Sequence, residues 1–210
     1  MANDYGTMQT RIANEVRRSD LTSEIAQEIQ DAIKFYEAER FWFNEDRSST
    51  FTTSQGQEFY TSADLAVIPN VIHIDQAVIT ISGNRYPLNR RDWDYFEHIA
   101  MNPATNGQPQ DYVYYDQSIR LYPIPDNAYT VRISGVFQLG TLSASADTNA
   151  WMVEGEQLIR NAAKMRLHME RTHNQQQAEE ARNLVEIALQ NLRMKNGVHL
   201  ASGRQRPTQF

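Results

Sequence analysis

WMVEGEQLIRNAAKMRLHME (151–170) and AEEARNLVEIALQNLRMK (178–195) decide the fold. In the first, Trp151, Gly155, Leu158, Ala162, Met165 and Met169 recur at spacings of four and three, which puts them on one buried face of a helix. Asn174 and the glutamines at 175–177 interrupt the pattern. It resumes as Ala178, Ala181, Val185, Ala188 and Leu192. Both faces are narrow and rich in small residues, as in closely packed antiparallel helices. Two such helices do not bury themselves, so the hairpin needs further helices from elsewhere in the chain.

The N-terminus supplies them. Thr7 is placed to cap a helix running to Arg18, with Met8, Ile12 and Val16 on one side, and Ser19-Asp20 breaks it before the next. The second helix is expected over 21–43, with Ile25, Ile29, Ala32, Ile33 and Tyr36 as its stripe and Phe41-Trp42-Phe43 at its end, deep in the core. Phe41, Trp42, Trp151 and Leu158 are the expected core anchors.

Between these helices the chain reads as β. Residues 50–53 and 58–60 flank the turn-rich 54–57 as a hairpin; 71–82 is a β-branched run closed by Gly83-Asn84, with 85–88 returning beside it. Trp93, Phe96 and Ile99 mark a short helix over 89–101, ended by Pro103. Strands at 112–115, 118–122 and 129–137 follow, separated by turn sequences, and Ser/Ala-rich 140–147 leads back to helix. The expected class is α+β: a helical bundle from 1–47 and 148–196, an inserted small β-domain with a short helix at 48–147, and an extended C-terminal tail at 197–210.

Composition bounds the function. At 210 residues, 40% hydrophobic and 22% charged, the chain suits one ordinary core plus a smaller unit. No apolar run approaches the roughly 20 residues that span a bilayer, and residues 1–6 lack a signal pattern, so no membrane association and an origin in the cytoplasm are expected. There is no cysteine, which removes disulfides and thiolate chemistry. A net charge of −6 argues against a dedicated nucleic-acid binder, whose phosphate contacts need clustered Lys and Arg.

No catalytic constellation stands out. His73, His98, His168, His173 and His199 are scattered, and no phosphate loop, nucleophile elbow or zinc-protease motif occurs. The acid neighbours Glu37 and Glu39, or Asp92 and Asp94, evoke a glycosidase pair, yet alternating acids usually mark solvated surface. Tyr112, Tyr114, Tyr115, Tyr122 and Tyr129 read as strand formers rather than a stacking platform. No catalytic residue, metal site or cofactor is expected. The chain's end differs in kind: past Glu186 no acid occurs, while Arg193, Lys195, Arg204 and Arg206 are basic and Gly197, Gly203 and Pro207 oppose regular structure.

Taken in order, MQTRIANEVRRSDLTSEIAQEIQDAIKFYEAERFWFNE, TFTTSQGQEFY, VITISGNRYPLNRRDWDYFE, GQPQDYVYYDQSIRLYPIPDNAYTVRISG and TNAWMVEGEQLIRNAAK resemble the head-to-tail adaptor proteins of tailed bacteriophages. The resemblance covers 8–164, and the order of the blocks carries it. It implies a virion protein made in the host bacterial cytoplasm: a homo-oligomeric ring, usually of twelve copies, that docks on the portal protein, carries a tail or nozzle protein, and lets genomic DNA pass through its lumen without specific binding. It also implies a C-terminal extension reaching along the portal. Here that place is taken by 197–210, with Val198, Leu200 and Phe210 as apolar anchors and Arg204 and Arg206 as charged ones. A short-tailed-phage relative credited with cell-wall hydrolysis supplies the alternative, a peptidoglycan hydrolase.

Overall fold

The computed structural model describes residues 3–100 and 105–200. They form six helices and ten strands, a mixed α+β chain in two compact units, Met1–Asn44 with Leu139–Phe210, and Glu45–Gln138.

The first unit is helical. Helix α1 (Tyr5–Val16) starts at Asp4, whose carboxylate accepts the Thr7 amide at 2.7 Å, so Asp4 rather than Thr7 is its cap. Helix α2 (Thr22–Tyr36) stops seven residues short of Phe43. The reason is Asn44, which is buried. Its side chain accepts the Phe41 amide at 2.8 Å and donates to the Glu37 and Glu39 carbonyls at 3.3 and 2.8 Å. Backbone groups that would have continued the helix are satisfied by one side chain, and the aromatic run becomes a knot of turns.

The expected single helix from Trp151 is broken as well. A short α4 (Ala150–Val153) precedes α5 (Glu156–Glu170), and Gly155 sits at the join. A Cβ on Gly155 would lie 2.7 Å from the Trp151 ring, so only glycine lets the chain pass that close. Arg171 to Asn174 turn the chain, Asn174 accepts the Gln177 amide at 3.1 Å, and α6 (Gln175–Leu200) runs back along α5. Gln175 to Gln177 therefore open this helix rather than interrupt the hairpin.

Every member of the second stripe is buried: Ala178, Ala181, Val185, Ala188 and Leu192. In α5 the buried apolar residues are Leu158, Ile159, Ala162, Ala163 and Leu167, while Met165 is only partly buried and Met169 is 59% exposed, against expectation. Met8 and Ile12 of α1 and Ile25, Ile29, Ala32 and Ile33 of α2 complete the core with Phe41, Trp151 and Leu142. The expectation of an extended tail from Gly197 also fails at its start. Helix α6 carries on through Gly197 and Val198 to Leu200, because side chains on its last turns find partners in the segment after α2.

The second unit is built on β4 (Val71–Ile81), which pairs antiparallel with β5 (Asn84–Arg90) on one side and with β10 (Thr130–Phe137) on the other. Ser82 and Gly83 make the β4–β5 turn with φ of 49° and 83°. Asp116 and Gln117, also at positive φ, join β7 (Asp111–Tyr115) to β8 (Ser118–Tyr122). With β1 (Glu45–Asp46), β2 (Thr50–Thr52) and β3 (Phe59–Tyr60) the main order is β1-β10-β4-β5-β7-β8-β3, with β2 also on β10. Helix α3 (Trp93–Ala100) and the paired β6 (Asn106–Gly107) and β9 (Ile124–Pro125) complete the unit.

The expected 50–60 hairpin does not form. Strand β2 lies on β10 and β3 on β8, so their backbone groups are spent on different partners, although the Phe51 and Tyr60 rings still meet at 4.9 Å. Phe51, Tyr60, Ile79, Leu121, Val131 and Ile133 lie among the buried core of this unit.

One position there is sterically closed. The β10–β4 register shifts between Ser134 and Gly135, and a Cβ on Gly135 would lie 1.9 Å from the His73 carbonyl oxygen. Gly135→Ala is therefore expected to lower the stability of this unit by about 3 kcal/mol, since backbone rather than a side chain must move. Chemical denaturation measures this, and a loss below about 1 kcal/mol would show that the bulge yields freely.

Candidate functional site

The end of α6 is the best-built feature of the helical unit that faces solvent. The Arg193 guanidinium grips the Glu39 carboxylate at 2.6 and 3.0 Å, and Glu39 holds Arg193 more firmly protonated than an ordinary arginine. One turn on, the Asn196 amide donates to the Arg40 carbonyl at 3.0 Å. His199 then stacks on Trp42, ring centres 4.7 Å apart and planes 17° from parallel.

From there an aromatic chain runs inward. Trp42 meets Phe43 edge-on at 5.1 Å, and Phe43 meets Trp151 edge-on at 5.0 Å, so the helix end is linked to the deepest side chain of the core.

Of the expected anchors, Phe41, Trp151 and Leu158 are fully buried. Trp42 is only partly buried: it packs against the edge of the core and stacks outward on His199. Val198 stands 76% exposed near the end of α6, and Leu200 is the last residue of that helix. Arg204, Arg206 and Phe210 lie outside the described residues. Sequence pattern gives no sign of Glu39 and His199, which pin the helix end, because their partners Arg193 and Trp42 lie at the other end of the chain.

Elsewhere the polar groups are structural. Glu15 of α1 joins Arg160 and Lys164 of α5, the latter at 2.6 Å. Burial works to raise the Glu15 carboxyl, but the two cations outweigh it and hold it below the usual carboxylate range. His168 is buried, its Nδ1 3.0 Å from the Thr172 hydroxyl, and burial, with Lys164 adding to it, lowers its pKa below that of an ordinary histidine. Among the described residues no three His, Asp or Glu side chains group as a metal site. Asp92 and Asp94 are exposed, and Glu39 is engaged by Arg193.

In the β unit Arg120 is buried, bonded to Glu58 and Glu97 and covered by the rings of Phe59, Trp93 and Phe96 within 5.6 Å. Among the tyrosines, Tyr112 is buried in this unit's core. The Tyr114 hydroxyl donates to the Ile68 carbonyl at 2.9 Å, and Tyr115 is exposed.

Glu28 of α2 is one buried acid whose bonding is incomplete. Its side chain is buried, its Oε2 has no hydrogen-bond partner, and the nearest cation, Arg166, is 3.9 Å away. Burial raises its carboxyl and Glu170 adds to the rise, with Arg166 pulling back only in part. A raised folded-state pKa means that the folded chain binds more protons than the unfolded one above about 4.3, so this group costs stability as the pH climbs through that window. Glu28→Gln is expected to stabilise the protein by roughly 1 kcal/mol at pH 7 and by little at pH 4. Urea midpoints at the two pH values measure this; a variant no more stable than the parent at pH 7 would contradict it.

With this geometry in hand the comparison with known proteins is direct. A family model described as SU10 adaptor protein matches residues 3–208, nearly the whole chain. The chain belongs to the SU10 adaptor protein family. It is thus a phage head-to-tail adaptor, a structural virion component of a family associated with portal and tail proteins. No curated protein matches the chain. No helix among the described residues is long and apolar enough to cross a membrane.

Proposed function

We propose that this SU10 adaptor assembles as a ring, of twelve copies, that docks on the portal, extends and seals the DNA channel below it, and offers the tail or nozzle its attachment site. The observation that carries the reading is the family match through residue 208, which takes in both α6 and the segment after it. The geometry adds a reason: Arg193, Asn196 and His199 fix the end of α6, so that segment leaves from a rigid platform.

Residues 201–210 then act as the docking tail, with Arg204, Arg206 and Phe210 as anchors beside Val198 and Leu200. The chain's net charge of −6, multiplied around a ring, gives a channel wall that repels DNA and lets it slide. No enzymatic step is required of any residue. The hydrolase alternative finds no support in the exposed Asp92 and Asp94 or in the engaged Glu39.

The deciding experiment is a mass measurement of the chain with and without its portal, together with imaging of particles. A ring of this chain beneath the capsid vertex is expected. A protein that never associates with portals, or a monomer that cleaves peptidoglycan, would overturn the reading.

A further inference from the structure

Helix α6 carries a second apolar stripe that no other described residue covers. Leu184, Ile187, Asn191, Met194 and Val198 recur at spacings of three and four, and the four apolar members are exposed by 46, 55, 64 and 76%. The opposite flank of the same helix closes a groove of about 440 Å³. There Val185 and Leu189 face Phe35 of α2 and Met165 and Met169 of α5, with Arg166 and Arg182 at its edge. Phe35 is 65% exposed and Met169 59%. Stripe and groove together account for six of the eleven large apolar side chains that stand exposed among the described residues.

At about 100° per residue, the stripe and the α6 side of the groove lie almost half a turn apart. Within one copy they never meet. Between copies they suit each other: a ridge of unbranched and branched aliphatic side chains against a trough floored by Phe and Met, which adapt to such ridges. Glu180, exposed one turn before Leu184 on the line of the stripe, brings negative charge towards Arg182 at the groove's edge, whose own partner Glu186 is exposed and 3.9 Å away.

We infer that the α6 stripe of one copy seats in the α2–α5–α6 groove of a second copy of this chain. The inference rests on the ring reading and gives its contact. Two different patches on opposite flanks of one unit make a head-to-tail interface, which closes into a ring when the rotation permits, whereas a patch that meets itself gives only a pair. The exposed apolar side chains of the helical unit are then the buried centre of the ring's contacts.

The lack of cysteine makes the test clean. Ile187→Cys and Met169→Cys are introduced singly and together into the full chain, and the proteins are treated with a short bis-maleimide, both purified and in assembled particles. The double variant is expected to give a ladder of linked copies. Each single variant alone stays unlinked, and an equal mixture of the two stops at dimers. In parallel, Ile187→Glu is expected to weaken self-association on the order of tenfold or more without shifting the melting temperature.

Dimers from Ile187→Cys alone would overturn the inference in favour of a two-fold contact. Linkage to the portal or tail protein would overturn it in favour of a foreign partner. Particles whose images show a ring while the double variant stays unlinked would overturn this contact and leave the ring reading standing; particles without a ring would overturn both.

Discussion

Trp151→Ala is expected to lower the stability of the helical unit by about 3–5 kcal/mol, the cost of emptying a large aromatic site that cannot collapse. The site is rigid on every side. Trp151 is wholly buried, Phe41 and Phe43 meet its ring edge-on at 5.6 and 5.0 Å, and Gly155 passes so close that no Cβ fits. Its indole N–H, however, has no hydrogen-bond partner, so part of the gain from burial is already offset. Trp151→Phe, which keeps a ring and removes the orphan donor, is therefore expected to cost about half as much or less. Trp42→Ala should fall lower still, about 1–2 kcal/mol, because Trp42 is only half-buried and shares its contact area with His199. Guanidinium midpoints for the three variants measure the order. A Trp151→Ala loss below about 1 kcal/mol, or a larger loss for Trp42→Ala, would mean that the core is centred elsewhere.

That ranking shows where sequence periodicity was a good guide. The α6 stripe from Ala178 to Leu192 was legible because it lies on one face that packs mainly along α5, and one dominant partner leaves a single period. The end of α2 was not, because one side chain, Asn44, takes over the bonds of the helix, and no pattern of apolar spacing registers that. Arg120 was invisible for a related reason. An isolated arginine in a strand reads as solvent-facing, and its partners Glu58 and Glu97 lie 62 and 23 residues away in the chain. The 50–60 hairpin was misread because local turn chemistry says nothing about a distant strand, and β10 and β8 each outcompeted the nearer partner. The outer stripe of α6 escaped notice because it interleaves with the inner one. Two apolar stripes on one helix blur each other in sequence and separate only when burial shows which one is covered.

Deleting residues 201–210 is expected to abolish attachment of this adaptor to portal-bearing heads and to leave its melting temperature unchanged, if the proposed docking tail is right. The second half follows from where the described core contacts lie. The last buried core side chain among the described residues is Leu192, and the three pins of the helix end, Arg193, Asn196 and His199, all precede the cut. A cut before Gly197 is different, since it also removes His199 from Trp42, and it should cost about 1 kcal/mol of stability. The first half follows from binding energetics. Fixing backbone on a partner costs about 1–2 kcal/mol per residue, so a docking segment must bury anchors, and Phe210, Arg204 and Arg206 are those that lie beyond the cut. In the proposed ring the contact would be repeated many times, so each tail can be weak while the whole is held by effective concentration. Partial loss of tails in a mixed ring should then weaken docking steeply rather than in proportion. The measurement is cosedimentation of full-length, 1–200 and 1–196 proteins with portal-bearing heads, beside their melting curves. If the 1–200 protein binds heads as tightly as the full chain, docking resides in the helical unit itself. If it fails to fold, the segment belongs to the core and the docking assignment falls with it.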